Sequence, residues 1–202
     1  MTTTYLNDDT GILLLHKGLI TDTKTLFDGI YEGSNWKQDV VKMGKNTYYP
    51  NRFTCSYGNP NTTYKYSGKT EVCAPWSTNL AIETLHEQIK TLTNVDYNFV
   101  LCNLYPDETS KLGYHCDKEK DLDPKYYICS VSLGVTREFR VQPITKKFTS
   151  LGRRRPNLIK INLEDGDLLV MGGNLQTYWK HCLFESPTTC GSRINATFRM
   201  IK

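Results

Sequence analysis

The chain has 202 residues, of which 39% are hydrophobic and 23% are charged, so it can bury one sizeable core. This composition excludes a disordered tail. No apolar run reaches the roughly 18 residues that a membrane helix needs, and residues 1–5 lack the basic start and apolar stretch of a secretory signal. We therefore expect one soluble, intracellular domain with no membrane partner, and a monomer as the default for this size.

The formal net charge is +4, but the charge is unevenly distributed. No acidic residue lies between Glu138 and Glu164, and the basic residues between them contribute +7, which leaves −3 for the rest of the chain. They are Arg140, Lys146, Lys147, Arg153, Arg154, Arg155 and Lys160. Such a segment fits phosphate neutralisation by a polyanionic partner, and it equally fits a solvated basic loop.

The seven cysteines are odd in number and never stand at the two-residue spacing of a zinc knuckle. This pattern predicts reduced thiols in a reducing compartment. It supports neither a disulfide framework nor a structural zinc site.

In the first half of the chain, a short segment at 11–15 precedes a predicted helix that begins at Thr21 or Asp22. Its apolar positions are Leu26, Phe27 and Ile30. The stretch 36–76 is rich in aromatic residues and in turn-forming residues, which indicates short strands joined by turns. A second helix is predicted to be capped by Ser77 or Thr78. Its apolar stripe is formed by Ala81, Leu85, Ile89 and Leu92.

The second half is predicted to consist of strands. Short apolar runs lie at 98–101, 127–133, 138–141, 158–163, 167–171 and 193–201, and Asp165-Gly166 is typical of a tight turn. Several short strands at this spacing predict a sandwich or jelly-roll barrel.

His115 and Asp117 are two residues apart, so on an extended strand both side chains would project from one face and could bind one metal ion. His181, 66 residues later, could be returned to the same mouth of a jelly roll. Two imidazoles and one carboxylate form the facial triad of non-haem Fe(II) oxygenases. On its own, this spacing is weak support for a metal site. We expect ordinary structural roles for His16 and His86.

The C-terminal strand alternates between two chemistries. Arg193, Asn195, Thr197 and Arg199 share one face, and Ile194, Ala196, Phe198 and Met200 share the other. The apolar face belongs to a core. If the polar face meets solvent, which the pattern alone favours, the strand is an ordinary amphipathic strand. If it faces the barrel interior, the arginines need an anionic partner, and a dicarboxylate cosubstrate would supply it.

Several separated motifs resemble the AlkB family of Fe(II)- and 2-oxoglutarate-dependent nucleic-acid demethylases. They are NLY at 103–105, GYHCDKE at 113–119, SVSLG at 130–134, DLLVM at 167–171, His181 and RINATFR at 193–199. Upstream, PNR at 50–52, YG at 57–58, YKYSG at 64–68 and PW at 75–76 are similar to the base-recognition lid of the homologues that act on duplex DNA. The resemblance covers nearly the whole chain.

The resemblance implies a single domain over 1–202 that is mainly β with flanking helices. N-terminal helices and a nucleotide-recognition lid would occupy 1–95, and a double-stranded β-helix (jelly-roll) core would occupy 96–202. It further implies Fe(II) held by His115, Asp117 and His181. The implied ligands of 2-oxoglutarate are Asn103, Tyr105, Arg193, Asn195, Thr197 and Arg199.

The resemblance also implies how a nucleic acid would be bound. The residues that would frame a flipped base are Arg52, Tyr64, Tyr66, Ser67 and Glu119. Arg52 departs from the family pattern because one residue is inserted in the Pro-Arg pair of the lid. Met43, beside Lys45, takes the place of an aromatic wedge of the duplex-acting relatives, and it could be a wedge or a packed side chain. Backbone contacts are expected from Lys146, Lys147, Arg153, Arg154 and Arg155.

The activity that follows from the resemblance is oxidative demethylation of 1-methyladenine and 3-methylcytosine in single- or double-stranded DNA. It would use O2 and 2-oxoglutarate as cosubstrates and release succinate, CO2 and formaldehyde. Three alternatives stay open at this point. The substrate could be RNA, it could be a modified protein side chain acted on by another 2-oxoglutarate oxygenase, or the chain could be an inactive jelly roll that binds nucleic acid.

Overall fold

A computed structural model of the protein describes residues 1–38, 40–44, 46–66, 69–186 and 191–202, with backbone only at 41–43, 66 and 69. Its strands are β1 (Thr2–Asp8), β2 (Gly11–His16), β3 (Lys37–Gln38), β4 (Val41–Met43), β5 (Asn46–Tyr48), β6 (Phe53–Gly58), β7 (Thr63–Tyr66), β8 (Lys69–Val72), β9 (Ala74–Pro75), β10 (Phe99–Tyr105), β11 (Leu112–His115), β12 (Ile128–Gly134), β13 (Arg137–Pro143), β14 (Ile159–Leu163), β15 (Leu168–Gly172), β16 (Trp179–Leu183) and β17 (Arg193–Arg199). Its helices are α1 (Thr23–Gly33), α2 (Leu80–Thr93), α3 (Thr145–Ser150) and α4 (Leu175–Tyr178), with a 3-10 turn at Trp76–Thr78. No helix in these ranges is long and apolar enough to cross a membrane.

Two sheets face each other. The major sheet has the order β1-β2-β15-β12-β17-β10-β6-β3, with β9 alongside β6, and the minor sheet has the order β11-β16-β13-β14. Side chains from both sheets meet between them, including Leu15 and Leu169 from the major sheet and Val141 and Ile161 from the minor one. The predicted β-rich jelly roll with flanking helices is confirmed.

Helices α1 and α2 cover the other face of the major sheet. Leu26 and Ile30 of α1 and Ile82 and Leu85 of α2 are buried against apolar side chains of the central strands. The start of α1 agrees with its prediction, since the helix begins directly after Asp22. The opposite face of the major sheet, which these helices do not cover, lines the apolar core and the cavity between the two sheets.

The predicted cap and stripe of α2 are corrected by the structure. The cap is Asn79, whose side chain accepts hydrogen bonds from the backbone amides of Ala81 and Ile82, because Ser77 and Thr78 belong to the preceding 3-10 turn. Leu85 and Ile89 of the predicted stripe are buried, but Leu92 is 44% exposed. The buried face of α2 is formed by Ile82, Leu85, His86 and Ile89.

The boundary expected at residue 95 does not separate a core from its N-terminal additions. Strands β1, β2 and β6 from the N-terminal part belong to the same sheet as β10, β12, β15 and β17. Leu13 and Leu15 of β2 are fully buried beside β15, so the N-terminal segment forms part of the barrel wall. Packing of apolar side chains across the sheet therefore joins the two parts into one body.

Candidate active site

The polar face of β17 points into a cavity of about 220 Å³ between the two sheets. Arg193 and Arg199 line this cavity and are only 2% and 6% exposed, while Ile194 and Phe198 pack under the helices. The interior alternative for the C-terminal strand is thus the correct one. Arg199 pairs with Asp117, whereas Arg193 has no carboxylate partner in the described residues, so the cavity holds a buried cation that an anion could neutralise.

Strand pairing brings further polar side chains to the same wall. Tyr105 lies opposite Arg193, and Asn103 lies opposite Asn195, in the antiparallel pair β10–β17. On the other side of β17, Ser132 lies opposite Asn195. Thr197, which lines the cavity as well, hydrogen-bonds to Asn195.

The three predicted metal ligands converge. His115, at the end of β11, is directly opposite His181 of β16, and Asp117 follows in a segment without regular structure. Potential ligand atoms of the three side chains all lie within 4.8 Å of one another. His115 Nδ1 is 2.8 Å from the carbonyl oxygen of Gly113, so donation there leaves Nε2 available as a ligand.

The electrostatics keep Asp117 and His181 in the form that binds a metal. Burial by itself raises the pKa of Asp117, but Arg199 and the two histidines outweigh it and lower the pKa to about 2. Burial lowers the pKa of His181 to about 4, so its imidazole is neutral at physiological pH. A charged carboxylate and a neutral imidazole are the protonation states that metal ligation requires.

Tyr64 and Glu119 form a polar edge of the cavity, which Arg52 also lines. Tyr64 is 1% exposed, its ring is 5.0 Å from that of Phe99, and burial raises the pKa of its hydroxyl, which contacts Glu119. Glu119 Oε2 is buried and has no hydrogen-bond partner in the described residues. This edge lines the cavity with an aromatic side chain and a carboxylate.

Four of the predicted nucleic-acid contacts lie wholly or partly outside the described residues. Ser67 and Lys45 lie outside the described residues, and only the backbone of Met43 and Tyr66 is described. Tyr66 ends β7 and pairs with Lys69 of β8, and Met43 ends β4 and pairs with Asn46 of β5.

Two hydrogen bonds connect the chain in or near these hairpins to loops of the barrel. The backbone amide of Lys65 in β7 donates to Asp121 at 3.1 Å. Near β5, the side-chain amide of Asn51 donates to Asp107 at 2.7 Å. Both acceptors lie in loops that flank β11, the strand of His115.

Within the basic segment, Arg140 lies in β13 and Lys160 in β14, and the five other cations lie between these strands. This connection contains α3, which Phe148 anchors in the core. Strands β11 and β13 both run antiparallel to β16, so this segment leaves the minor sheet at the end that carries His115. Arg153 pairs with Asp9 at 2.8 Å. The other predicted cations are exposed and form no ion pair within the described part of the chain; they are Lys146, Lys147, Arg154 and Arg155.

Some residues of the site were not predicted. Ser130, which lines the cavity, and Ser132, which accepts a hydrogen bond from Arg193 at 2.9 Å, alternate along β12. That period of two is a signal that could have found them. Gln176 accepts a hydrogen bond from the backbone amide of Asp117, and no sequence pattern marks it.

Comparison with known proteins adds an independent result. Residues 13–199 match the 2OG-Fe(II) oxygenase superfamily. The chain belongs to this superfamily. Members of the superfamily use Fe(II), 2-oxoglutarate and O2, in agreement with the expected cofactors.

Relatives confirm the resemblance to the AlkB family. The chain is 34% identical over 153 residues to the DNA oxidative demethylase ALKBH2 of Mus musculus, which covers 74% of this chain and 62% of the relative. It is 31% identical over 183 residues to the alpha-ketoglutarate-dependent dioxygenase alkB homolog 3 of Bos taurus, covering 90% and 63%. The chain thus spans less than two thirds of the length of these relatives. The structure of OsALKBH1 shares the fold, with a TM-score of 0.62 at 19% identity over 97% of this chain and all of that one.

The residues present fit the cofactors of the superfamily. His115, Asp117 and His181 supply the two nitrogens and one oxygen of an iron site. Arg193 has no carboxylate partner in the described residues, and its Nε is buried without a hydrogen-bond partner, like Nε of Arg199 and Oδ1 of Asn103. Burial lowers the pKa of Arg193 to about 10, so the group stays charged. A buried cation and unpaired polar atoms are what a dicarboxylate would satisfy.

Proposed function

We propose that this protein is an Fe(II)- and 2-oxoglutarate-dependent dioxygenase that removes methyl groups from 1-methyladenine and 3-methylcytosine in DNA. The observation that carries the proposal is that the metal triad, the two buried arginines and the Tyr64–Glu119 edge line one cavity. Two relatives that are about a third identical to the chain are named a DNA oxidative demethylase and an alpha-ketoglutarate-dependent dioxygenase, which supports the reaction class.

In this proposal His115, Asp117 and His181 hold Fe(II). When bound, Fe(II) with 2-oxoglutarate and O2 supplies the oxidising power that hydroxylates the N-methyl group, which is then lost as formaldehyde while succinate and CO2 are released. The chain keeps Asp117 ionised through Arg199 and keeps His181 neutral through burial. Its remaining task is to orient the cosubstrate and the base in a site that excludes water.

The two arginines would bind the two ends of 2-oxoglutarate. Arg199 contacts the metal ligand Asp117 at 3.1 Å, so it would face the carboxylate near the metal. Arg193 lies beside Ser132 and Tyr105, so it would bind the distal carboxylate together with Tyr105 and Asn103. Asn195 and Thr197, between the arginines, would line the middle of the cosubstrate.

The alkylated base would enter at the edge formed by Arg52, Tyr64 and Glu119. A base methylated at these positions has lost its Watson–Crick pair and carries positive charge, so it is easier to extrude than an intact base. It would be attracted to the Tyr64 ring and to the unpaired oxygen of Glu119. Tyr66 and Ser67 remain proposed members of this lid.

The phosphate backbone would be bound at the basic segment. Lys146, Lys147, Arg154 and Arg155 are exposed and form no ion pair among the described residues. The segment that carries them leaves the minor sheet at the end where His115 lies, which supports this proposal. Arg153 would contribute less because it pairs with Asp9. We keep Lys45 as a proposed backbone contact and Met43, which ends β4, as a proposed wedge.

We also propose a compartment and an oligomeric state for this activity. All six cysteines in the described residues are free thiols, which fits a reducing intracellular compartment. We propose that the protein acts there as a monomer on nucleic acid.

Mass spectrometry of oligonucleotides tests the reaction. Single-stranded DNA, duplex DNA and RNA, each with one 1-methyladenine or 3-methylcytosine, are incubated with protein, Fe(II), ascorbate and 2-oxoglutarate. We expect the loss of one CH2 unit only when 2-oxoglutarate is present, and the preferred strand form would separate DNA from RNA substrates. Succinate release without any demethylation would refute the substrate and keep the oxygenase.

The variant His115→Ala separates an enzyme from an inactive binding protein. Loss of turnover with unchanged affinity for the oligonucleotide supports the enzyme. Unchanged function in this variant would favour the binding protein, because no metal ligation would then be involved.

A further inference from the structure

Asp117 contributes its carboxylate to the proposed metal centre from a segment that has no strand partner. Strand β11 ends at His115, and residues 116–119 form no regular structure. A buried backbone amide outside a ladder needs another acceptor. For Asp117 that acceptor is Gln176, whose Oε1 lies 2.9 Å from the amide nitrogen.

The side-chain amide of Gln176 has a defined orientation. Its Nε2 donates to Met171 Sδ at 3.9 Å, which directs Oε1 towards Asp117. Both Met171 and Asp117 line the active-site cavity. Gln176 itself stands behind them, in the wall of a second cavity of about 420 Å³ that shares these two residues.

Gln176 lies on a well-anchored element. Leu175 packs so closely on β2 that a Cβ at Gly11 would come within 2.8 Å of Leu175 Cα. Trp179 donates through Nε1 to Thr10 at 3.2 Å and is buried. The segment that carries Gln176 is therefore fixed to the major sheet, and five residues later it carries His181.

We infer that Gln176 is a positioning residue for the iron centre: its amide sets the place of Asp117 relative to His181. Cys116 adds a weaker tie of the same kind, since its thiol lies 3.2 Å from the carbonyl oxygen of Trp179. Arg199 holds the carboxylate of Asp117, and Gln176 holds its backbone. Because a ligand fixed before the metal arrives loses less entropy on binding, removal of this anchor weakens the site. The inference rests on the proposed metal centre.

Binding of Co(II) by the metal-free protein tests this role without any nucleic acid. Gln176→Met keeps the length of the side chain but replaces the amide oxygen by a poor acceptor. We expect its dissociation constant for Co(II) to rise by about 10- to 100-fold, the usual effect of losing such a partner. The visible absorption spectrum of bound Co(II) should also change, because the position of the carboxylate changes.

Two further variants make the result specific. Gln176→Glu keeps an oxygen acceptor and should bind Co(II) much as the wild type does. Gln142→Met makes the same chemical change on the other face of the minor sheet, beside Lys180, and should have no effect. Urea unfolding of each metal-free variant shows whether it is folded, and if Gln176→Met is not, Gln176→Asn, which withdraws the acceptor by one methylene, takes its place.

The outcomes separate this inference from the proposed function. Wild-type affinity for Co(II) and a wild-type spectrum in Gln176→Met would overturn the positioning role and leave the metal centre intact. Failure of the wild type to bind Co(II) would overturn the metal centre and the inference together.

Discussion

Arg199 donates a hydrogen bond to Asp117 at 3.1 Å, and both side chains are more than nine-tenths buried. The carboxylate would otherwise lie with two imidazoles in a cavity with little solvent. In the metal-free protein, the guanidinium therefore partly neutralises the Asp117 carboxylate, as a bound metal ion would in the holoprotein. This relationship makes the stability of the protein sensitive to the metal in a predictable way.

Replacing Arg199 by Met should lower the free energy of unfolding of the metal-free protein by about 3 kcal/mol, the usual cost of leaving one member of a buried pair alone. Saturating Co(II) should recover part of this loss, since the metal supplies the missing positive charge. Urea unfolding with and without Co(II) measures both quantities. An equal loss in the two conditions would contradict the expectation, and the double variant with Asp117→Asn isolates the pair.

Replacing Arg193 by Met should weaken 2-oxoglutarate binding by about 10- to 100-fold, because charge-assisted hydrogen bonds contribute about 1.5–3 kcal/mol. Calorimetry on the protein loaded with Mn(II) measures the dissociation constant without turnover. The control is Ser132→Ala, which removes only the neighbour of Arg193 and should have a smaller effect. Unchanged affinity in Arg193→Met would remove this residue from the cosubstrate site.

Neutralising the basic segment should lower the salt dependence of binding to DNA. In Lys146→Gln/Lys147→Gln, the slope of log K against log salt concentration should fall by about 0.7–0.9 for each lost phosphate contact. Lys24→Gln is the matched control, since Lys24 pairs with Asp28 on the surface of α1. Arg153→Gln should change the slope less than Arg154→Gln, because Arg153 is paired with Asp9. Equal slopes in wild type and variants would assign the segment to a solvated loop.

The hydrogen bond from Asn51 to Asp107 should be sensitive to acid. Hydrogen bonds from Thr109, Asn51 and Ser110 outweigh burial and lower the pKa of Asp107 from 3.8 to about 2. Since the pKa is lower in the folded state, the stabilisation is present above pH 4 and is lost as the pH falls through about 2.

The side-chain amide signals of Asn51 in NMR spectra report this bond, and they should shift with a midpoint near pH 2. In Asp107→Asn the transition should be absent, while Asp123→Asn should leave it unchanged. A midpoint close to the ordinary value for Asp would show that the bond is not formed in solution.

Local patterns in the sequence determined much of the architecture. The alternation along 193–199 defined the two faces of β17, and the start of α1 and most strands of the second half lie where their apolar runs predicted them. The His115-x-Asp117 pair and the basic segment could also be found, because residue type and spacing along one element are local properties.

Only the tertiary structure decided which face of β17 is buried. The sequence pattern of a polar face is the same whether solvent or a second sheet lies opposite it. Here the minor sheet encloses the arginines. The pairing of His115 with His181, the burial of Ile82 rather than Leu92 and the bond from Asp117 to Gln176 depend on elements far apart in the chain. The sequence by itself determined the chemistry of each element, and packing between distant elements decided which side chains share a cavity.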